Sequence, residues 1–185
     1  MPRPPRFLLA GGHYHVLARG NLKQDIFLND VDRLCWLGLL GEACQRHHWK
    51  CLAWVQMNNH YHLIVRTDEP TLSDGMQLLN GLYTRRFNFA HDRVGHVFQG
   101  RYKAFPIEDL RYLYEVCRYV MLNPVRAKLV LRSDEWRWSS VHAALGRRPA
   151  PSWLDLRWLG DGGPDALKSF LGEPFEAEES FMLSR

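Results

Sequence analysis

Residues Asn58–Val65 read NNHYHLIV, a run with the length and apolar content of a buried strand that nevertheless carries two histidines two residues apart. Side chains along a strand alternate between faces, so His60 and His62 share one face while Tyr61, Leu63 and Val65 share the other. Two imidazoles therefore converge on one patch of a sheet. The flanking sequence decides which sheet that is.

Immediately upstream, KCLAWVQM (Lys50–Met57) has strand character, and Asn58-Asn59 is a tight turn that pairs it with HYHLIVR (His60–Arg66) as a hairpin. Further out, HYHVLARG (His13–Gly20) is a first strand ending in a Gly-Asn turn signal. Between them, Asn29 is an N-cap followed by Asp30 and Asp32. Val31, Leu34, Cys35, Leu37, Leu40 and Cys44 then recur at helical spacing. Downstream, Thr71 with Asp74 resembles a capping box, and Leu72, Met76, Leu79, Leu82 and Tyr83 form the stripe of a second helix. HVFQGRYKAF (His96–Phe105) reads as a fourth strand with Gln99, Arg101 and Lys103 on one face.

The order β-α-β-β-α-β is the ferredoxin-like α+β pattern, a four-stranded antiparallel sheet with two helices on one face. Strands one and three are the central pair of that topology, which puts His60 and His62 in mid-sheet. An extra helix follows, DLRYLYEVCRYVMLNP, with Asp109 as N-cap and a stop at Pro124. A weaker helical stretch, Asp134–Leu145, precedes the linker-like GRRPAP. We expect residues 1–145 to form one domain and 146–185 a tail.

Composition sets limits on function. The chain is 46% apolar, enough for a core that needs neither disulfides nor a structural metal. No apolar run approaches the roughly 18 residues of a membrane span. The start, MPRPPRFLLAGG, is too proline-broken for a signal peptide, so the expectation is a cytoplasmic protein. Cys35, Cys44, Cys51 and Cys117 form no C-x-x-C pair and read as reduced, buried thiols. The net charge is +4 and arginine outnumbers lysine, with clusters at Arg85–Arg86, Arg101–Lys103 and Arg126–Lys128. Guanidinium forks match phosphate, so a nucleic-acid partner is permitted, although charge runs also serve as solvated faces.

An H-x-H pair on a strand can chelate a metal, but it is a common pattern and two ligands are too few. On the extra helix, Tyr112 and Tyr119 are seven apart and share a face, whereas Tyr114 points elsewhere, into the core. Asn123 lies four residues beyond Tyr119 on the same helix face. Because Pro124 follows it, Asn123 also reads as an N-cap with proline at the first helical position.

These pieces in this order, NNHYHLIV, QGRYKAF, RYVMLNPVRAKLV and EWRWSSVHAAL, with YHVLARGN near the start, resemble the REP-associated tyrosine transposases. That family is a branch of the IS200-like, HUH (His-hydrophobic-His) single-strand endonucleases, and the match spans His13 to about Leu145. Tyr61 departs from the pattern, which has an aliphatic residue there; an aromatic still packs as a hydrophobe.

The resemblance implies that His60 and His62 are metal ligands, Asn123 a third, amide-bearing ligand, and Tyr119 the catalytic nucleophile. It implies Mg²⁺ or Mn²⁺ as cofactor and single-stranded DNA with hairpins, of the repetitive extragenic palindrome type, as substrate. Cleavage would leave a 3′-hydroxyl and a 5′-phosphotyrosine. Arg101 and Lys103 would contact phosphates near the site, with Arg85, Arg86 and Arg126 extending the track. The tail would pack on the domain or contact DNA, and the protein would act as a monomer or homodimer. A free phenol has a pKa of about 10, so Tyr119 needs activation. His13 and His15 on the neighbouring central strand are candidate bases, or core-edge histidines.

Two other classes fit less well. An RNA-binding ferredoxin-like module would carry spaced strand aromatics that HYHLIVR and HVFQGRYKAF lack. A zinc hydrolase would need a third histidine, cysteine or carboxylate at matching spacing.

Overall fold

The computed structural model describes residues 9–172; the first eight residues of the proline-broken start and residues 173–185 of the tail lie outside the described residues. In chain order the elements are β1 (Gly12–Arg19), α1 (Asp30–Arg46), β2 (Trp49–Gln56), β3 (His60–Thr67), α2 (Leu72–Ala90), β4 (Lys103–Ile107), α3 (Leu110–Arg126), α4 (Val141–Ala144) and α5 (Gly163–Gly172). The strands form one antiparallel sheet in the order β2-β3-β1-β4. This is the ferredoxin-like arrangement, with β1 and β3 central.

The two-residue period of the central strands sorts the molecule into layers. Tyr14, Val16 and Ala18 of β1 and Tyr61, Leu63 and Val65 of β3 pack against Trp36, Leu39 and Leu40 of α1 and Met76, Leu79 and Tyr83 of α2. On the opposite face, Leu113, Val116, Cys117, Val120 and Met121 of α3, an i, i+3, i+4, i+7, i+8 stripe, cover Ala53, Val55 and Ile64. The sheet is thus sandwiched between the α1/α2 pair and α3.

Local chemistry explains where the helices begin. Asn29 and Asp32 form a reciprocal capping box on α1, and the Asp109 carboxylate accepts from Arg111 N at 2.8 Å to start α3. Thr71 occupies the N-cap of α2 but makes no side-chain capping bond. Its hydroxyl accepts instead from Trp49 Nε1, so the expected box with Asp74 does not form.

Several expectations are corrected. Val31 and Leu34 are 72% and 59% exposed; α1 is apolar around much of its circumference, so spacing alone did not select the buried side, which carries Trp36 and Leu39. The fourth strand is Lys103–Ile107 rather than His96–Phe105. Gly20 bridges Phe98, whereas the β4 register, with Leu17 opposite Lys103, would put Gly100 there. Two extra residues bulge out between Phe98 and Lys103, and Arg101 sits in that bulge instead of on the strand.

At its far end, α3 continues through Pro124 to Arg126, which makes Asn123 an interior helical residue and removes the N-cap reading. Tyr114 is 40% exposed, set edge-on against Trp158 at 5.6 Å, and is not core.

Only a 3-10 turn (Ser133–Glu135) and the short α4 form within Asp134–Leu145. The chain around and beyond α4 runs along the outer edge of β2: Gln56 N donates to Trp138 O and Cys51 N to Trp153 O, covering an otherwise open strand edge. Leu167 of α5 joins the cluster under α3, and Arg118 Nε donates to Phe170 O. The four cysteines are free, Cys35 only partly buried. Among the described residues no helix is long and apolar enough to cross a membrane.

Candidate active site

β1 and β3 run antiparallel with Leu17 opposite His62 and Arg19 opposite His60, so both histidines face α3. Docked over them, α3 presents Tyr119 and Asn123 one turn apart. His60, His62, Tyr119 and Asn123 all line one cavity of about 400 Å³. Tyr119 is only 3% exposed. Its ring meets His62 edge-on at 5.8 Å and His15 at 5.9 Å, and the Arg126 guanidinium lies 5.0 Å from its centroid.

Hydrogen bonds identify the atoms available for chemistry. Asn59 Nδ2 donates to Lys23 O, which orients the amide, so Asn59 Oδ1, 2.6 Å from His60 Nδ1, must accept. His60 therefore carries its proton on Nδ1 and a lone pair on Nε2. Asn123 Nδ2 donates to Tyr119 O at 2.9 Å, which commits the amide nitrogen and leaves Oδ1 as the atom a cation can use. His62 Nδ1 lies 2.8 Å from His15 Nε2. Burial, with Arg19 nearby, pulls the His60 pKa down to about 4. Burial first, then His15, His60 and Arg19, holds His62 well below its ordinary value. Both rings are neutral at pH 7, the form that binds metals.

Two imidazole nitrogens and an amide oxygen fit a hard-to-borderline divalent ion with open positions for phosphate and water. Among the described residues no group of three or more His, Cys, Asp and Glu is arranged to hold a metal.

The charged surroundings suit phosphate. Lys103 and Arg126 line the cavity, as does Arg19, which the sequence reading missed, and among the described residues no acidic one does. Arg101 instead lines an adjoining groove of about 770 Å³ together with Met76, Phe98 and Tyr102; Gln99 lines both spaces. Arg85 and Arg86 lie on α2, across the sheet from α3, and the structure does not bring them to this cavity. Tyr112 is 38% exposed and does not line it either. His13 lines a separate groove beside Tyr114 and Trp158. His15 is not a lining residue: its Nε2 is turned to His62, a role that needed the register between two strands to be visible.

The family model described as "Transposase IS200 like" matches residues 9–123, more than half of the chain and all the residues that line the cavity except Arg126 and Ala127. The chain belongs to the IS200-like transposase family. It is therefore a transposase, an enzyme acting on DNA. Among solved structures, it is similar to a REP-associated tyrosine transposase bound to a REP hairpin, at 17% identity with a TM-score of 0.66, covering 84% of this chain and 93% of that one. The likeness confirms the fold. A tRNA(His) guanylyltransferase from Saccharomyces cerevisiae aligns at 10% identity and a TM-score of 0.48, over 98% of this chain and 80% of that one. No curated protein matches the transposase.

Proposed function

We propose that the transposase cleaves and rejoins single-stranded DNA next to hairpins, using Tyr119 as nucleophile. The observation that carries this reading is the convergence of Tyr119 with His60, His62 and Asn123 in one basic cavity. The Tyr119 oxygen attacks the scissile phosphorus in line as the bond to the 3′ oxygen breaks. The phenolic proton is lost, the departing oxygen takes up a proton as a 3′-hydroxyl, and a 5′-phosphotyrosine remains. A 3′-hydroxyl reverses the step, so strands are joined without ATP.

Arg126, stacked over the Tyr119 ring, favours the phenolate as charge develops on it. Lys103 and Arg19 offset the charge of the phosphate brought between the strands and α3. Mg²⁺ or Mn²⁺, bound at His60 Nε2, His62 and Asn123 Oδ1, would supply Lewis-acid polarisation of a non-bridging phosphate oxygen. A hairpin-bearing substrate is supported by the similar transposase, which was solved bound to a REP hairpin.

The test incubates the protein with labelled single-stranded hairpin DNA and Mg²⁺ or Mn²⁺ and looks for a denaturation-resistant protein–DNA adduct. An adduct with the wild type that Tyr119→Phe abolishes, while DNA affinity is retained, supports the reading. Loss of the adduct in Tyr112→Phe but not in Tyr119→Phe would name the wrong tyrosine. No adduct on any hairpin, from protein that binds Mn²⁺, would return the chain to a non-catalytic nucleic-acid-binding module.

A further inference from the structure

His62 differs from His60 in one respect. Asn59 Oδ1 can only accept, so the proton of His60 is fixed on Nδ1. His62 Nδ1 faces another imidazole nitrogen, His15 Nε2, at 2.8 Å, and either ring can donate. Both residues are buried, at 4% and 3% exposure, and burial lowers the pKa of each. Two neutral rings share one proton across this contact.

The two arrangements have opposite consequences. If His15 donates, His62 accepts on Nδ1 and carries its own proton on Nε2, the nitrogen left for the cavity. That nitrogen then has no lone pair to give a cation. If His62 donates from Nδ1, its Nε2 is a lone-pair donor and matches His60 Nε2 beside it. Only the second arrangement builds a two-imidazole site, and it requires His15 to be the acceptor.

His15 is held by packing and by this one contact: its Nδ1, which carries the proton when Nε2 accepts, is buried without a hydrogen-bond partner among the described residues. It stands on β1 opposite Ile64, diagonal to His62, with its ring within 24° of parallel to that of His62 and the centroids 5.1 Å apart, so the two rings meet edge to edge through their nitrogens, and it is bounded by Phe105 at 6.1 Å and Tyr119 at 5.9 Å.

We propose that His15 is a positioning residue: its Nε2 accepts the Nδ1–H of His62 and holds that ring in the tautomer and orientation that bind a divalent cation. The inference rests on the metal-assisted reading above and deepens it. Partners of this kind fix the ligand's tautomer and raise its basicity, and removing one typically costs about 10–100-fold in metal affinity. The contact joins residues 47 apart in sequence, and ties the central strand pair directly to the site.

The experiment titrates the full-length protein with Mn²⁺ by calorimetry for wild type, His15→Phe and His15→Gln, alongside thermal melting of the metal-free proteins. His15→Phe keeps a ring but loses the acceptor and should weaken Mn²⁺ binding by about 10–100-fold. His15→Gln, whose amide oxygen can reach the same nitrogen, should stay within a few-fold of wild type. Should His15→Phe fold poorly, long-range ¹H–¹⁵N spectra of wild-type imidazoles with saturating Mg²⁺ decide: the proposal requires a protonated Nδ1 and a metal-bound Nε2 on His62. Unchanged Mn²⁺ affinity in well-folded His15→Phe, equal losses in both variants, or a protonated Nε2 on His62 in the Mg²⁺ form would each overturn it. Failure of the wild type to bind Mn²⁺ would instead bring down the metal reading itself.

Discussion

The two faces of β3 are written by alternate residues of one eight-residue strand, and they do opposite work. On the α1/α2 face, Tyr61, Leu63 and Val65 are fully buried among apolar neighbours, with Trp36 lying 4.6 Å from the Tyr61 ring. On the α3 face, Ile64 is buried the same way, but His60 and His62 open onto a basic cavity. One face is closed by packing along its whole length. The other is closed at one end and left polar at the other, where the proposed reacting groups line the cavity. A site placed on central strands inherits their rigidity, because the core that fixes its backbone sits on the reverse side of the same residues.

Neighbouring substitutions should separate the two faces. Tyr61→Ala removes a fully buried aromatic and the hydroxyl that donates to Asn80 at 2.7 Å, and should cost about 3–5 kcal/mol of stability. His60→Ala, one residue away, should change stability by roughly 1 kcal/mol or less, since its ring borders the cavity rather than the packed core. It should also abolish metal-dependent nicking. Denaturant melts of the metal-free variants with nicking assays give both readouts. Comparable destabilisation by the two would mean that the histidine face is a second core and not a site.

Asn123→Ala sharpens the same contrast on α3. The amide's bond to Tyr119 O is worth about 1 kcal/mol, and alanine's better helix propensity returns about 0.5 kcal/mol. The melting temperature should hardly move, while the Mn²⁺ midpoint should rise by about tenfold or more if the amide oxygen is a ligand. A large fall in melting temperature with an unaltered midpoint would leave a two-histidine chelate. Gln99, which also lines the cavity, would then be the next ligand to test.

What the sequence made legible follows from how local each signal is. The alternation in NNHYHLIV, the Asn29 and Asp109 caps and the stripe of α2 are all decided within a few residues, and they stand in the structure as read. The phase of α1 was not legible, because an element with apolar residues on most sides needs its partners to choose the buried one. The bulge between Phe98 and Lys103 was hidden for a related reason: HVFQGRYKAF has strand composition throughout, and only pairing with Gly20 and Leu17 reveals the two-residue shift. Pro124 was read as a stop, yet the lost N–H and the ring's crowding of the carbonyl four residues back are both local costs, and α3 completes its last residues beyond it, with Ala127 N donating to Asn123 O. At the site, His60, His62, Tyr119 and Asn123 were named by family resemblance, and the structure gathers them in one cavity. Arg19 and the His15–His62 contact depend on strand register, which no window of sequence carries.

The bulge also sets the smallest expected difference, between Lys103 and Arg101, which the sequence placed on one strand face. Lys103 lines the Tyr119 cavity, whereas Arg101 lines the adjoining groove. Phosphate contacts release counterions, so each residue that makes one should lower the slope of log affinity against log salt by about 1 when replaced by alanine. If both touch the backbone, Lys103→Ala and Arg101→Ala will flatten the salt dependence equally, and binding to all single strands will weaken alike. Their effects on chemistry should differ. At saturating DNA, Lys103→Ala should slow adduct formation, because it removes a cation beside the reacting phosphate, while Arg101→Ala should leave that rate near wild type. Equal slowing by both would mean that the two spaces joined at Gln99 act as one site on the substrate. A sequence-selective loss of binding in Arg101→Ala would move that residue from phosphate to base edge, and would make the groove beside Phe98 the part of the protein that reads the unpaired strand.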